Sequence, residues 1–312
     1  MQEVDNNKYP NDLNDEIDLQ ELFYLLLQGK WIIISVTALF STIGVIYSLS
    51  LPNMYESKTL LAPVSSSSMS QSFQSYGSLA SLAGISIPSG DGETQKAISR
   101  LGSLSFFENN IITNIFLPDL MAYKSWNFII NEAVYDEDIY DKESNTWVRD
   151  YSYPSKKIPS NQESFRVFKN RHFNLSEDQK NGFVTISISH QSPFIAKNWV
   201  EILVTEINNY HKSKDKLASE KAIDYLNEQI LKTNLSEIKM VIAELLKKET
   251  QTLALIEANQ YYVYEYIDRP SVPELKSAPD RALISILAAL FGGMLSIFFV
   301  SIRHYTFLKK TS

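Results

Sequence analysis

The chain has 312 residues, a net charge of −7 and no cysteine, and 44% of its residues are hydrophobic. The missing cysteine excludes a disulfide framework, a thiolate metal site and a cysteine nucleophile. The acidic balance argues against nucleic-acid binding, which draws on clustered basic residues.

The first 30 residues are rich in acids. Ile17, Leu19, Leu22, Phe23, Leu25, Leu26 and Leu27 recur at near-helical spacing behind Asp15 and Asp18, which predicts a short amphipathic helix leading into the next segment. Trp31 to Leu51 is apolar, and no charge falls between Lys30 and Glu56. As a helix its 21 residues would measure about 31 Å, the hydrocarbon thickness of a bilayer. An acidic leader of this length does not suit a cleaved signal peptide, which wants a short basic start and a shorter apolar run, so the segment reads as an uncleaved anchor. A second charge-free segment runs from Ala282 to Ile302, between Arg281 and Arg303. Two spans put both termini on one side of a membrane and residues 52–281 on the other. The basic cluster Arg303, Lys309 and Lys310 favours cytoplasmic tails. A 230-residue outer domain without cysteine then suits a bacterial periplasm. The ten residues after Ile302 are expected to hold no kinase or cyclase output domain.

Between the spans the pattern is mixed. Met54 to Val64 has strand character. The Ser/Gly-rich stretch that follows, to residue 92, reads as loop. Ile98, Leu101, Leu104, Phe107, Ile111, Ile112 and Ile115 form one apolar stripe, which predicts a helix over Glu93–Phe116, stopped by Pro118. Tyr135 to Pro159 reads as loop, and Phe165 to Lys169 as one or two helical turns. His172 to His190 predicts a strand pair, with Phe173 and Leu175 alternating before an Asn181-Gly182 turn and Val184, Ile186 and Ile188 after it. Ser192-Pro193 starts a helix. No Gly or Pro occurs from Phe194 to Arg269. Ile195, Trp199, Ile202, Ile207 and Tyr210 mark one helical stripe. Leu231, Leu235, Ile238, Ile242 and Leu245 step 4, 3, 4 and 3, a coiled-coil-like seam. Tyr261 to Ile267 reads as a strand. A single helix from Phe194 to Asn259 would be about 100 Å long, yet the chain must return to the second span. A turn is therefore expected between Lys232 and Glu249, at Thr233-Asn234-Leu235-Ser236. Such an arm, with a narrow apolar seam, calls for a partner; self-association and packing on its own returning segment both supply one.

No Gly-rich phosphate loop with a following Lys-Ser or Lys-Thr is present. His172, His190, His211 and His304 lack metal-ligand spacing. Asp141, Glu143, Tyr135 and Tyr140 could meet a sugar or simply line a solvated loop. Neither a catalytic residue nor a cofactor is assigned.

Pro270, Pro273 and Pro279 precede the second span, and Gly292 stands eleven positions beyond Arg281. This resembles the proline-rich signature of the Wzz-type chain-length determinants, the polysaccharide co-polymerases. Ala278 and Asp280 depart from its Ser-Pro-Lys, and Ser296 replaces its second glycine. Ile17–Leu22 through Trp31, Tyr55–Pro63, Gly77–Gly84, and Gly182–Ile188 through Pro193 and Trp199 resemble other parts of the family. The resemblance implies a membrane-anchored α+β protein with two transmembrane helices (31–51 and 282–302) flanking a periplasmic domain over 52–281. That domain would have an α/β base (about 52–192 plus 261–270) and a long helical arm (about 193–260), with cytoplasmic tails at 1–30 and 303–312. It implies a non-enzymatic regulator of the modal length of O-antigen or a related polysaccharide. Its partners would be other copies of itself in a ring, a Wzy-type polymerase, undecaprenyl-linked glycan and the bilayer. The prolines would form a stiff connector or simply stop the preceding strand. Gly292, Gly293 and Ser296 would serve close helix packing. A capsule or enterobactin-transport-associated export accessory, and a periplasmic sensor with its output in a partner, are the rival readings.

Overall fold

The computed structural model of the protein describes residues 27–64, 91–127, 129–130 and 132–311. The expected helix over Ile17–Leu27 and the loop at Gly77–Gly84 lie, except for Leu27, outside the described residues. The chain divides into two compact units, residues 1–52 with 278–312 and residues 53–277.

The first unit is a helix pair, α1 (Lys30–Ser50) and, at the other end of the chain, α8 (Arg281–Thr311). Both are long and apolar enough to cross a membrane. Only 11% and 17% of their most apolar stretches are buried, whereas the core helix of a soluble protein would be mostly buried. The helix at the C-terminal end runs past the expected Ile302 boundary.

The second unit is α+β. Its sheet has four antiparallel strands in the order β6-β7-β1-β8. These are β1 (Tyr55–Pro63), β6 (Phe173–Asp178), β7 (Phe183–His190) and β8 (Tyr264–Asp268). The β6–β7 hairpin turns at Gly182, whose φ of 70° is a conformation that glycine adopts without a Cβ clash. Asp178 and Asn181 close that turn by accepting backbone N–H bonds from Lys180 and Phe183 at 3.0 and 2.8 Å. The inward positions of β1 are Ser57, Thr59 and Leu61. The two hydroxyls can be buried because each donates to a backbone carbonyl, Ser57 to Ser271 at 2.8 Å and Thr59 to Asp268 at 2.6 Å.

Across the sheet lies α6 (Pro193–Lys232), started by the Ser192 hydroxyl, which accepts from the Ile195 N–H at 3.4 Å. Ala196, Trp199, Val200, Leu203, Val204 and Ile207 of its first half meet Leu61, Val184, Ile186 and Ile188 of the sheet in one core. Ile195, Ile202 and Tyr210, named by the expected stripe, flank it.

Three expectations need correction. The stripe over Glu93–Phe116 does not make one helix: α2 (Asp91–Leu101) ends at Gly102, the Ser103 hydroxyl caps a new turn, α3 (Leu104–Phe106), and a wider π-type turn follows at Phe107–Ile111. A glycine followed by a capping serine outweighs the periodicity. The short α4 (Leu117–Met121) carries Pro118 in its first turn, so proline starts a helix there. The second correction concerns Tyr135–Pro159, which is not simply loop. Tyr135 ends a hairpin of β2 (Tyr123–Asn127) and β3 (Glu132–Tyr135), and β4 (Tyr140–Asp141) pairs with β5 (Thr146–Trp147). Tyr140 is buried, and Arg149 holds the remainder by donating to Glu163 at 2.8 Å and to the carbonyls of Lys156 and Lys157. Glu163 stands in α5 (Asn161–Val167), and a second π-type turn, Phe168–His172, leads into β6. The third is the strand read from Tyr261, which begins at Tyr264.

Candidate functional site

The sequence points to three places: the arm seam, the apolar helix pair and the proline segment. The structure adds a buried His–aromatic cluster.

The arm is a helical hairpin. Helix α6, about 60 Å long over its 40 residues, stops at Thr233. Helix α7 (Ser236–Ala258) returns alongside it. Near the base the two are tied by the Lys216–Glu257 ion pair and by Lys212 Nζ donating to the Asn259 carbonyl at 3.0 Å. Of the seam residues, Ile242 is 8% exposed, whereas Leu231, the most open, is 84% exposed. Leu235 lies in the interhelical link, and Ile238 and Leu245 remain open to solvent. The hairpin thus covers one of the five and leaves four uncovered in the single chain. Met240 and Val241 add to the same exposed stretch.

Where the arm meets the base, Asn208 is 6% exposed and makes five hydrogen bonds. Its Oδ1 accepts from the backbone N–H groups of Tyr262, Val263 and Tyr264 at 3.0, 2.8 and 3.1 Å. Its Nδ2 donates to the carbonyls of Val204 and Tyr264 at 2.9 and 3.1 Å. One side-chain amide therefore receives the chain as it returns from α7 into β8. A single mid-helix asparagine carries no local sequence signal for this role.

In the helix pair, Gly44, Ser48, Gly292, Ser296 and Val300 are buried. A Cβ added at Gly292 would come within 2.6 Å of the Phe40 Cβ, and one at Gly44 would overlap Ala288. Ala288, Gly292 and Ser296 thus form a small-residue ridge of four-residue spacing, matched by Gly44 and Ser48. Gly293 sits beside the ridge, with Thr37 at ordinary contact distance, 3.8 Å. Ser41, Thr42, Ser48, Ser285, Ser296 and Ser301 each donate their hydroxyl to a carbonyl three or four residues back, so these polar groups are satisfied within their own helices. The Asp280 carboxylate caps α8 by accepting from the Leu283 N–H at 3.1 Å. Arg281 donates to the Ser48 and Leu51 carbonyls at 3.2 and 3.4 Å, placing a cation at the C-terminus of α1. An aspartate one residue before an apolar run is a legible cap signal. The reach of Arg281 to a segment over 200 residues away is not.

The proline segment runs beside the start of β1. Pro270 is buried, Pro273 and Pro279 are half-buried, and the Ser277 N–H donates to the Met54 carbonyl at 2.8 Å.

A dense group of titratable and aromatic side chains in the α+β unit surrounds His190. Its ring centre lies 4.4 Å from that of Tyr123, 5.1 Å from Trp199 and 5.3 Å from His172. The Ser192 N–H donates to His190 Nδ1 at 2.9 Å, so the proton sits on Nε2, which donates to the Asp119 carbonyl at 3.0 Å. Burial, with His172 nearby, pushes the His190 pKa down to about 3, and burial also lowers that of His172. The Tyr135 hydroxyl donates to the Asp119 carboxylate at 2.6 Å. Desolvation raises the Asp119 pKa. His172, His190, Tyr135 and Asp119 are dehydrated and internally bonded, which suits packing rather than proton transfer, while the buried Tyr123 hydroxyl has no hydrogen-bond partner among the described residues. Tyr135 and Tyr140 are packed here, and Asp141 accepts from Glu143 N–H and the Ser144 hydroxyl. These contacts draw Tyr135, Tyr140 and Asp141 into local structure. Among the described residues no group of three or more His, Asp or Glu side chains converges as a metal site.

An α+β unit that lies in sequence between two long apolar helices defines a class, and the comparisons with known proteins speak to it. Residues 15–111 match the Wzz family, described as chain length determinant protein. The match covers about a third of the chain and includes α1, β1, α2 and α3. The resemblance to the Wzz-type chain-length determinants is borne out over that stretch. No curated protein matches the chain. Among solved structures, the chain is similar to a full-length bacterial polysaccharide co-polymerase at 15% identity, covering 93% of this chain and 98% of that one, with a TM-score of 0.42. It is also similar to a fragment of the WzzB polysaccharide co-polymerase from Salmonella Typhimurium, at 13% identity, 72% and 100% coverage and a TM-score of 0.35. Likeness this loose carries no argument about chemistry.

Proposed function

We propose that the chain is a membrane-anchored chain-length determinant that sets the modal length of O-antigen or a related surface polysaccharide without catalysing a bond change. The observation that carries this reading is the match of residues 15–111 to the chain length determinant model. Helices α1 and α8 would span the bacterial inner membrane, supported by their length, their apolar surface and the bonding of Ser41, Thr42, Ser48, Ser285, Ser296 and Ser301 within their own helices. Residues 52–281 would stand in the periplasm. The small ridge at Gly292 and Ser296 would hold the two spans together, and the prolines at 270, 273 and 279 would stiffen the approach to the second. The uncovered arm residues Leu231, Leu235, Ile238 and Leu245 would meet other copies of the chain in a ring. A ring offers a growing undecaprenyl-linked glycan and a Wzy-type polymerase many identical weak contacts, which add by avidity rather than by one tight pocket.

Deleting the gene and resolving the lipopolysaccharide on a gel tests this. Loss of the modal ladder band, restored by the full chain, is the expected result. An unchanged ladder with a defect in export or signalling assigns the chain to one of the rival roles instead.

A further inference from the structure

An open groove of about 630 Å³ lies between α2 and the middle of α6, formed largely by the hydrocarbon parts of polar and basic side chains. Its walls include Lys96, Ser99, Arg100, Ser103, His211 and Lys214, and no carboxylate is among its described lining residues. Arg100 is held by an aromatic face, its guanidinium carbon 4.2 Å from the centre of the Tyr210 ring. Its Nε is buried and without a hydrogen-bond partner. Neither Arg100 nor Lys214 has a carboxylate partner among the described residues, whereas cations elsewhere in this unit, such as Arg149, Lys142 and Lys216, do. An arginine fixed by stacking keeps its fork of donors for an incoming oxyanion. The serines supply the complement. Ser99 and Ser103 donate their hydroxyl protons to the carbonyls of Gln95 and Arg100, at 2.9 and 2.7 Å; the Ser99 oxygen keeps both lone pairs for a ligand hydroxyl, while Ser103, which already accepts from the Phe106 N–H, keeps one.

A fixed arginine and an exposed lysine beside hydroxyl oxygens match a ligand that carries both an oxyanion and hydroxyl groups. We propose that this groove binds an anionic saccharide, with Arg100 and Lys214 on the carboxylate or phosphate and the serine oxygens on adjacent sugar hydroxyls. The inference rests on the reading of the chain as a glycan-length determinant and adds the chemistry of the glycan it contacts.

The test is titration of the full chain in detergent micelles with three probes: a short oligogalacturonide, a malto-oligosaccharide of equal length, and inorganic phosphate. The oligogalacturonide should bind, more weakly as salt rises, and the neutral sugar should bind at least about tenfold more weakly, the worth of one charge-assisted hydrogen bond. Arg100→Gln and Lys214→Gln should each weaken the oligogalacturonide by about tenfold. Lys239→Gln, on the exposed surface of α7, should change nothing. Lys214 is exposed, so its variant keeps the fold if Arg100→Gln does not. Equal binding of the neutral sugar, or indifference to Lys214→Gln, overturns the proposal. Phosphate binding as tightly as the oligogalacturonide removes its saccharide half. A length ladder that depends on the gene while no anionic sugar binds refutes this inference and leaves the function standing.

Discussion

Replacing Asn208 with alanine removes the amide that receives the returning chain. Five hydrogen bonds disappear from a site that is 6% exposed. Alanine brings no replacement, and water has little access. If two of the three N–H groups at Tyr262, Val263 and Tyr264 are left without a partner, at about 1–3 kcal/mol each, the cost is about 4 kcal/mol. In a unit of this size each kcal/mol moves the midpoint by about 2–4 °C, so Tm should fall by about 8–16 °C. Thermal unfolding of the full chain followed by tyrosine and tryptophan fluorescence reads this. Asn174→Ala, on the exposed face of β6, should stay within about 0.5 kcal/mol of the parent. An Asn208→Ala protein within about 1 kcal/mol of the parent would refute the reasoning, because it would mean that the β8 approach is held by its ladder alone.

Other outcomes follow from the same contacts. Gly292→Leu drives a side chain into Phe40 and should cost the helix pair about 1–3 kcal/mol by overpacking, while Gly293→Ala should be near neutral, both read by thermal unfolding in micelles. Ile238→Glu with Leu245→Glu should lower the assembled mass measured by light scattering, while the monomer's Tm changes little, since both positions are exposed in the single chain. His190 has a native pKa of about 3 against about 6.5 unfolded, so the unfolded chain takes up the proton first. Stability from this group is therefore full above about pH 6.5 and falls as pH drops toward 3, by about 1.4 kcal/mol per unit. A His190→Gln variant should lose stability less steeply than the parent between pH 6.5 and 5, and parallel slopes would contradict the assignment.

What the sequence reveals and what it hides divide along the range of the interactions. The β6–β7 hairpin is legible because its turn chemistry, Asn181-Gly182, and its alternation are local. The start of α6 is legible for the same reason, in Ser192-Pro193. The break at Thr233–Leu235 is demanded by chain length and return, which needs no side-chain detail. The strands β2 to β5 are not legible. They are two to five residues long, too short to show an alternation, and the region around them holds shape through Tyr140 burial and the Arg149–Glu163 pair, which no local pattern announces. Periodicity misled at residues 93–116 because an apolar stripe persists through a glycine and a serine cap that divide the helix. In the candidate surfaces, the small residues at Gly292 and Ser296 can be found by spacing, but their partners Phe40, Gly44 and Ala288 appear only when α1 and α8 are packed. The arm seam was visible as a pattern, while its exposure in the single chain emerged only from the fold. The groove at Arg100 and Lys214 joins residues over a hundred positions apart and leaves no motif.

The central claim, that this chain dictates polysaccharide length, is tested most directly by moving it. A strain that makes O-antigen but lacks its own length determinant would express the full chain, and the number of repeats per lipid-linked glycan would be counted by mass spectrometry. The account predicts that a broad distribution collapses to a peak at one preferred length, and that the Ile238→Glu, Leu245→Glu protein fails to impose it. A distribution unchanged by a correctly inserted, abundant chain would contradict it.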